Sequence, residues 1–343
     1  MYKIDFENHF YDESLIEALK LRDTVPRLTK DEKIIQWTDA VAMPQGELLS
    51  NLRDTGADRK KKFSEMGITG VLLSSAQGPE LLDLDMSVEV CRKTNRNLYK
   101  LTQRFPDFYF GSATLPVKDL DAALEEMERC VKEYGFICWH THSNYGETAP
   151  DQDIYRPLFE KAAKLGIFVY LHPGLPAGKR MEGFGFTLAG PGLGFTIDTM
   201  VTITRMIASG LFDEIPDLKV MLGHLGEALP FLMERMENRL NFLPNPQIKM
   251  KHDLAYYFKH NILVTTSGNM SKEAFECAKR VLGMERICFG SDYPFEKAED
   301  MIEFLDEVEM SEKEREQLFY GNAVEQLGME AFLKREDVCE KAV

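Results

Sequence analysis

Short runs of apolar, β-branched and aromatic residues recur along the chain at 3–9, 69–75, 108–115, 136–142, 168–172, 218–224, 262–267 and 287–292. Runs of this length, bounded by Gly, Asn and Pro, predict strands. Between most of them apolar residues return every three or four positions, as in 119–134 and 153–165, which is the period of a helix with one buried face. Strands that alternate with helices imply βαβ units and a parallel sheet. Eight such units predict a single (β/α)8 barrel over residues 1–327, with 328–343 as a peripheral charged helix or tail. An open doubly wound sheet competes with it, but no Gly-x-Gly-x-x-Gly follows the first strand.

Three stretches interrupt this rhythm. Residues 22–56 are polar and Pro-containing, 174–196 are loaded with Gly, and 241–260 follow a long helix. All three are expected as insertions on or near the face that carries the chemistry, after strands one, five and six, where loops supply substrate contacts.

Composition narrows the partners. The 343 residues carry 41 Lys and Arg against 56 Asp and Glu, a net charge of −15. A protein that neutralises phosphates must supply cations, so neither nucleic acid nor an anionic membrane is expected as a partner. Residues 1–10 lack the basic start and apolar core of a secretory leader, and no uncharged apolar stretch approaches the ~18 residues of a membrane span. The six cysteines are scattered, with no Cys-x-x-Cys, and read as reduced thiols of a cytoplasmic protein.

The ends of the strands carry the chemistry. The first strand ends in Glu7-Asn8-His9, the fifth in Leu171-His172-Pro173-Gly174, the sixth in Gly223-His224-Leu225-Gly226-Glu227 and the eighth in Gly290-Ser291-Asp292-Tyr293-Pro294. Side chains two apart on a strand point the same way, so Glu7 and His9 share a face. If that face is the barrel interior, His172, His224 and Asp292 converge on the same point from other strands. Carboxylates and imidazoles around one point make a mixed oxygen and nitrogen set that suits Mn²⁺ or Zn²⁺. No cysteine sits at these strand ends, so no thiolate-loving metal is implied.

These motifs, together with Gly321-Asn322-Ala323, resemble the amidohydrolase superfamily from the first residues to about Leu327. The resemblance is to its branch of metal-dependent non-oxidative decarboxylases. Most hydrolytic members carry His-x-His on the first strand. Glu7 in the first position is similar instead to the hydroxybenzoate decarboxylases, those acting on γ-resorcylate, 2,3-dihydroxybenzoate or 5-carboxyvanillate. The fourth strand also lacks the lysine that binuclear hydrolases carboxylate.

The resemblance implies one divalent ion held by Glu7, His9, His172 and Asp292, a small aromatic carboxylate as substrate, and a homodimer or homotetramer. Asp292 is implied as proton donor to the ring, with His224 and Glu227 as an acid–base pair. Arg235 and Arg59 are implied as substrate contacts, with Arg239 the rival of Arg235. Tyr293, Phe295 and Tyr320 are the aromatic candidates for the ring's walls, Tyr293 first among them. His140-Thr141-His142 has the look of a second metal pair, but relatives carry small or amide residues there, which implies a substrate contact for one of the two. His252 and His260 are expected on the surface.

Direct loss of CO₂ from an aryl carboxylate leaves a carbanion with no electron sink. An ortho hydroxyl removes that obstacle, because the ring can first be protonated at the carboxyl-bearing carbon. Such an enzyme needs an acid over the ring and an electrophile on the phenolate, which a divalent ion supplies. The alternatives are a lactonase-like metal-dependent hydrolase of the same superfamily and a catalytically silent binding barrel. Glu7 disfavours the first and the intact ligand set the second.

Overall fold

The computed structural model describes residues 1–39, 41–175 and 184–329. Its strands in chain order are β1 (Ile4–Phe10), β2 (Arg27–Leu28), β3 (Ile34–Gln36), β4 (Ala42–Gln45), β5 (Gly70–Ser75), β6 (Tyr109–Ala113), β7 (Cys138–His142), β8 (Phe168–His172), β9 (Val220–Leu222), β10 (Ile262–Thr265) and β11 (Ile287–Cys288). Eight of them form one parallel sheet in the order β1-β5-β6-β7-β8-β9-β10-β11. Beyond Cys288 the chain returns to β1: Phe6 N donates to the Phe289 carbonyl at 3.0 Å and His9 N to the Tyr293 carbonyl at 2.7 Å. The fold is the expected (β/α)8 barrel.

Helices cover the outside because each buries one apolar stripe. In Leu120–Lys132, for example, Ala123, Met127 and Cys130 face the strands, and the Asp119 side chain caps the first turn. Inside the barrel, Ile4, Phe6, Leu72, Phe168, Met221 and Leu263 pack into a plug toward the amino ends of the strands. Polar side chains of the same strands sit above that plug. Among the described residues no helix is long and apolar enough to cross a membrane.

The structure shortens several expected strands, and two of the changes fall at the site. The ladder stops at Leu222 and Cys288 rather than running to positions 224 and 292. His224 (φ 54°) and Asp292 (φ 62°) adopt left-handed backbone, which no extended ladder accommodates.

Of the three interruptions, 22–56 folds into the antiparallel sheet β2-β3-β4 followed by the helix Gly46–Arg53. In 174–196, residues 176–183 lie outside the described residues, and the remainder leads into the helix Gly194–Ala208. The third expectation is corrected: 241–260 sits at the amino ends of the strands, opposite the chemistry. It joins the helix Leu229–Leu240 to β10, and Lys249 N donates to the Ala208 carbonyl at 2.7 Å. Asn261, just beyond it, donates to the carbonyls of Pro216 and Leu218 before β9 begins. The helix Asn322–Leu327 ends at Gly328 (φ 66°), and the expected tail from 330 onward, with Cys339, lies outside the described residues.

Candidate metal centre and substrate cavity

β1 brings Glu7 and His9 to the carboxyl end of the barrel, 1% and 0% exposed. β8 ends in His172, and the left-handed turn after β11 swings Asp292 inward beside them. His9 Nε2 stands 3.1 Å from Asp292 Oδ1 and 4.0 Å from Glu7 Oε1. His172 Nε2 stands 3.6 Å from Glu7 Oε1 and 4.0 Å from Asp292 Oδ1. Each of these four atoms is buried with no hydrogen-bond partner.

Four buried polar atoms left unpaired at one point are costly unless something binds them. Ligands of a single ion at ~2.0–2.2 Å stand about 3–4 Å from each other, which is the spacing found here. Two carboxylates and two imidazoles therefore fit one divalent cation. Burial lowers the proton affinity of His9, which keeps its ring neutral and its lone pair available.

The donors are fixed from behind. Glu7 Oε2 accepts from the Thr265 hydroxyl at 2.7 Å and from the Tyr170 hydroxyl, leaving Oε1 to face the cluster. Burial and the Glu7 charge push the Tyr170 phenol far up, so it remains a donor. His172 Nδ1 donates to the Pro173 carbonyl at 2.8 Å, which frees Nε2. Such outer partners set the tautomer and aim of a ligand.

His224 and Glu227 form a second layer. The His224 ring holds Glu227 Oε1 at 2.8 Å on Nδ1 and faces Asp292 Oδ2 at 3.7 Å on Nε2, while the Thr196 hydroxyl donates to Glu227 Oε2 at 2.7 Å. Burial alone disfavours the imidazolium, but the charges of Glu227, Asp292 and Glu7 outweigh it and raise the His224 pKa well above its usual range. Asp292 feels the reciprocal effect: burial opposes its ionisation, yet its three histidine neighbours hold it well below the usual carboxylate range.

The backbone here is strained. His224, Leu225, Glu227 and Asp292 all have φ between 54° and 62°, at about 1–2 kcal/mol each for a side chain other than Gly. The neighbouring chain makes room for these turns. Gly268 (φ 60°) lies against His224, and a Cβ there would come within 2.6 Å of His224 Cδ2.

Above the cluster opens a cavity of about 490 Å³. Tyr11, Trp37, Met43, Leu48, Phe186, Phe195 and Phe295 supply apolar wall, and His172, His224, Glu227 and Asp292 supply its polar floor. That size and lining suit one aromatic ring with polar substituents at one edge. Among the described residues no Lys or Arg lines it, and His224, whose pKa is raised, stands on its floor.

Three implied substrate contacts stand elsewhere. Arg59 is 1% exposed and donates to Asn8 Oδ1 at 2.8 Å and to the His9 carbonyl at 2.7 Å, so it braces the end of β1 from outside the barrel. Tyr293 is buried against the Phe63 ring, 5.1 Å between centroids, with the Arg59 guanidinium 5.0 Å away, and does not reach the cavity. Arg235 lies exposed on the helix Leu229–Leu240, as does its rival Arg239. Of the three aromatic candidates only Phe295 forms wall; Tyr320 packs on Tyr2 instead. His140 and His142 are buried behind His172 rather than on the wall, while His252 and His260 are exposed as expected.

Tyr170, Thr265 and the walls from 37 to 48 escaped the sequence reading. Tyr170 had a signal, since it shares a face with His172 two residues later. Trp37, Met43 and Leu48 had none beyond their place in an insertion after β1.

Comparison with known proteins decides the family. The amidohydrolase family model matches residues 65–329. The chain belongs to the amidohydrolase family. This amidohydrolase is 33% identical over 288 residues to the γ-resorcylate decarboxylase of Polaromonas sp. strain JS666, covering 81% of this chain and 88% of the relative. Its fold matches a 2,6-dihydroxybenzoate decarboxylase complexed with 2,6-dihydroxybenzoate, with a TM-score of 0.82 and 29% identity over 96% of this chain and 99% of that one. It also matches a dihydroxybenzoic acid decarboxylase from Polaromonas sp. JS666 with bound manganese and the inhibitor 2-nitroresorcinol, with a TM-score of 0.80 and 30% identity over 96% and 97% of the two chains.

Proposed function

We propose that this amidohydrolase is a carboxy-lyase that removes CO₂ from an ortho-hydroxylated, dihydroxybenzoate-like aromatic acid, with one divalent ion, manganese or zinc, as cofactor. The observation that carries this reading is the set of four unpaired buried atoms, Glu7 Oε1, His9 Nε2, His172 Nε2 and Asp292 Oδ1, under an apolar cavity of ring size. When bound, the ion supplies Lewis-acid polarisation and orientation of the phenolate and carboxylate oxygens.

The protein's own residues do the rest. Trp37, Leu48 and Phe295 exclude water and hold the ring. His224 stores the proton between Glu227 and Asp292, and Asp292 Oδ2, on the cavity floor, hands it to the ring carbon that bears the carboxylate. Cleavage of the bond to CO₂ then restores aromaticity. His224 replaces the proton on Asp292 and is itself recharged from solvent through the cavity mouth. In this reading Arg59 and Tyr293 act on the site indirectly, by bracing β1, and Arg235, exposed on its helix, stands clear of the cavity.

Incubation of the manganese-loaded chain with 2,6- and 2,3-dihydroxybenzoate in D₂O tests the proposal. The expected result is release of CO₂ with one deuterium on the carbon that lost it, abolished by chelation and restored by metal. Incorporation of solvent oxygen without CO₂ would move the function to the hydrolase alternative.

We further propose a cytoplasmic location, which the free thiols of Cys91, Cys130, Cys138, Cys277 and Cys288 support. The chain is also proposed to form a homodimer or homotetramer, for which exposed Phe231, Phe242 and Leu243 offer apolar contact, and light scattering on the eluted protein reads its mass.

A further inference from the structure

β7 presents two imidazoles that the centre above does not use. His140 and His142 stand two residues apart, and the parallel register sets His142 beside His172 and His140 beside Tyr170. Residues paired this way share a face, so three imidazoles crowd one stretch of the inner wall. Their ring centroids lie 5.0 Å (His140–His142), 5.4 Å (His140–His172) and 5.5 Å (His142–His172) apart.

Exposure of His140 is 4% and of His142 3%, and the Nε2 of each is buried with no hydrogen-bond partner, as is that of His172. One donor atom from each ring lies within 4.8 Å of the other two. Two of the rings are held from behind. His142 Nδ1 lies 2.5 Å from Glu80 Oε1, and His172 Nδ1 donates to the Pro173 carbonyl at 2.8 Å. A carboxylate or carbonyl behind an imidazole is how metal-ligating histidines keep one nitrogen free and aimed.

We propose that His140, His142 and His172 form a second, all-nitrogen seat for a divalent ion, which shares His172 with the four-donor centre and favours zinc-class metals. His172 has one free nitrogen, so the two seats exclude each other. Imidazole sets suit Zn²⁺, Co²⁺, Ni²⁺ and Cu²⁺, whereas a set with two carboxylates suits Mn²⁺. The identity of the metal therefore selects its position, and zinc in excess withdraws His172 from the four-donor centre. Glu80 is a positioning residue for His142.

Metal binding rather than turnover tests this, so its outcome is separate from that of the reaction proposed above. Co²⁺ added to the metal-free full chain is expected to give the strong visible bands of a four-coordinate ion. Those bands should survive Glu7→Gln, which damages only the four-donor centre. His140→Asn and His142→Asn should lose them and weaken Co²⁺ and Zn²⁺ binding roughly 10- to 100-fold. Both variants should still take up Mn²⁺, which reports that they are folded. In the native chain, Zn²⁺ should expel Mn²⁺ one for one, read as the paramagnetic resonance of the free ion. Unchanged Co²⁺ bands and Zn²⁺ affinity in both histidine variants would overturn the second seat, as would loss of Co²⁺ binding in Glu7→Gln. Simultaneous retention of one Mn²⁺ and one Zn²⁺ by the native chain would overturn the exclusion, and that measurement needs no variant.

Discussion

Residues 22–56 and 241–260 look alike as sequence, both polar, both Pro-containing or Pro-flanked, both breaking the alternation of strand and helix. They end up at opposite ends of the barrel. The first leaves the carboxyl end of β1 and contributes Trp37, Met43 and Leu48 to the cavity. The second leads into the amino end of β10, where Lys251 N and the Tyr257 hydroxyl both donate to Asp213. In a parallel barrel every strand-to-helix connection emerges at one end and every helix-to-strand connection at the other. Composition does not reveal which face an insertion serves; its place in the alternation does.

Variants at the two ends should separate turnover from stability. Asp292→Asn at the carboxyl end is expected to have the largest effect, a loss of about 10²–10⁴ in kcat for the acid alone. Elemental analysis of the purified variant separates that loss from loss of metal. Glu227→Gln comes next. It removes the carboxylate beside Nδ1 that raises the His224 pKa, so the imidazolium gives up its proton at lower pH and the alkaline limb of the kcat profile moves to lower pH. A profile that does not move would take His224 out of proton storage.

Trp37→Ala should raise KM roughly tenfold, equivalent to about 1.4 kcal/mol of lost ring contact, with kcat less affected. At the amino end, Asn261→Ala leaves the Pro216 and Leu218 carbonyls short of a donor and should cost about 1–3 kcal/mol of stability by denaturant unfolding, with kcat unchanged. His252→Ala, on the exposed surface of the same end, should stay within about 0.5 kcal/mol of the parent and leave kcat and KM alone. A fall in kcat in either amino-end variant would break the comparison.

The barrel was legible because buried parallel strands read as uninterrupted apolar runs, as in Gly70–Ser75 and Phe168–His172. The candidate metal donors were legible because Glu7 and His9 obey the period of two, His172 closes β8 and Asp292 stands in the Gly290–Pro294 motif just past β11. Strand limits at His224 and Asp292 were not, since the mild left-handed preference of His and Asp does not by itself mark the end of an apolar run. Arg59 misled for a different reason. A charged residue at a helix start reads the same whether its side chain runs to a ligand or, as here, inward to a carbonyl of β1.

The hydroxyl clamp on Glu7 also bears on how such barrels diverge. Tyr170 and Thr265, on β8 and β10, both give their protons to one oxygen of a side chain on β1. Replacing Glu7 by His, the residue that the family resemblance assigns to most hydrolytic members, removes that acceptor and leaves the two buried hydroxyls only each other and Ser267 as partners, at a cost of about 1–3 kcal/mol. A lineage crossing between the two chemistries thus meets an epistatic barrier. Positions 170 and 265 must change before or together with position 7, and a single-step conversion passes through a protein weakened in its interior before it has gained any new activity.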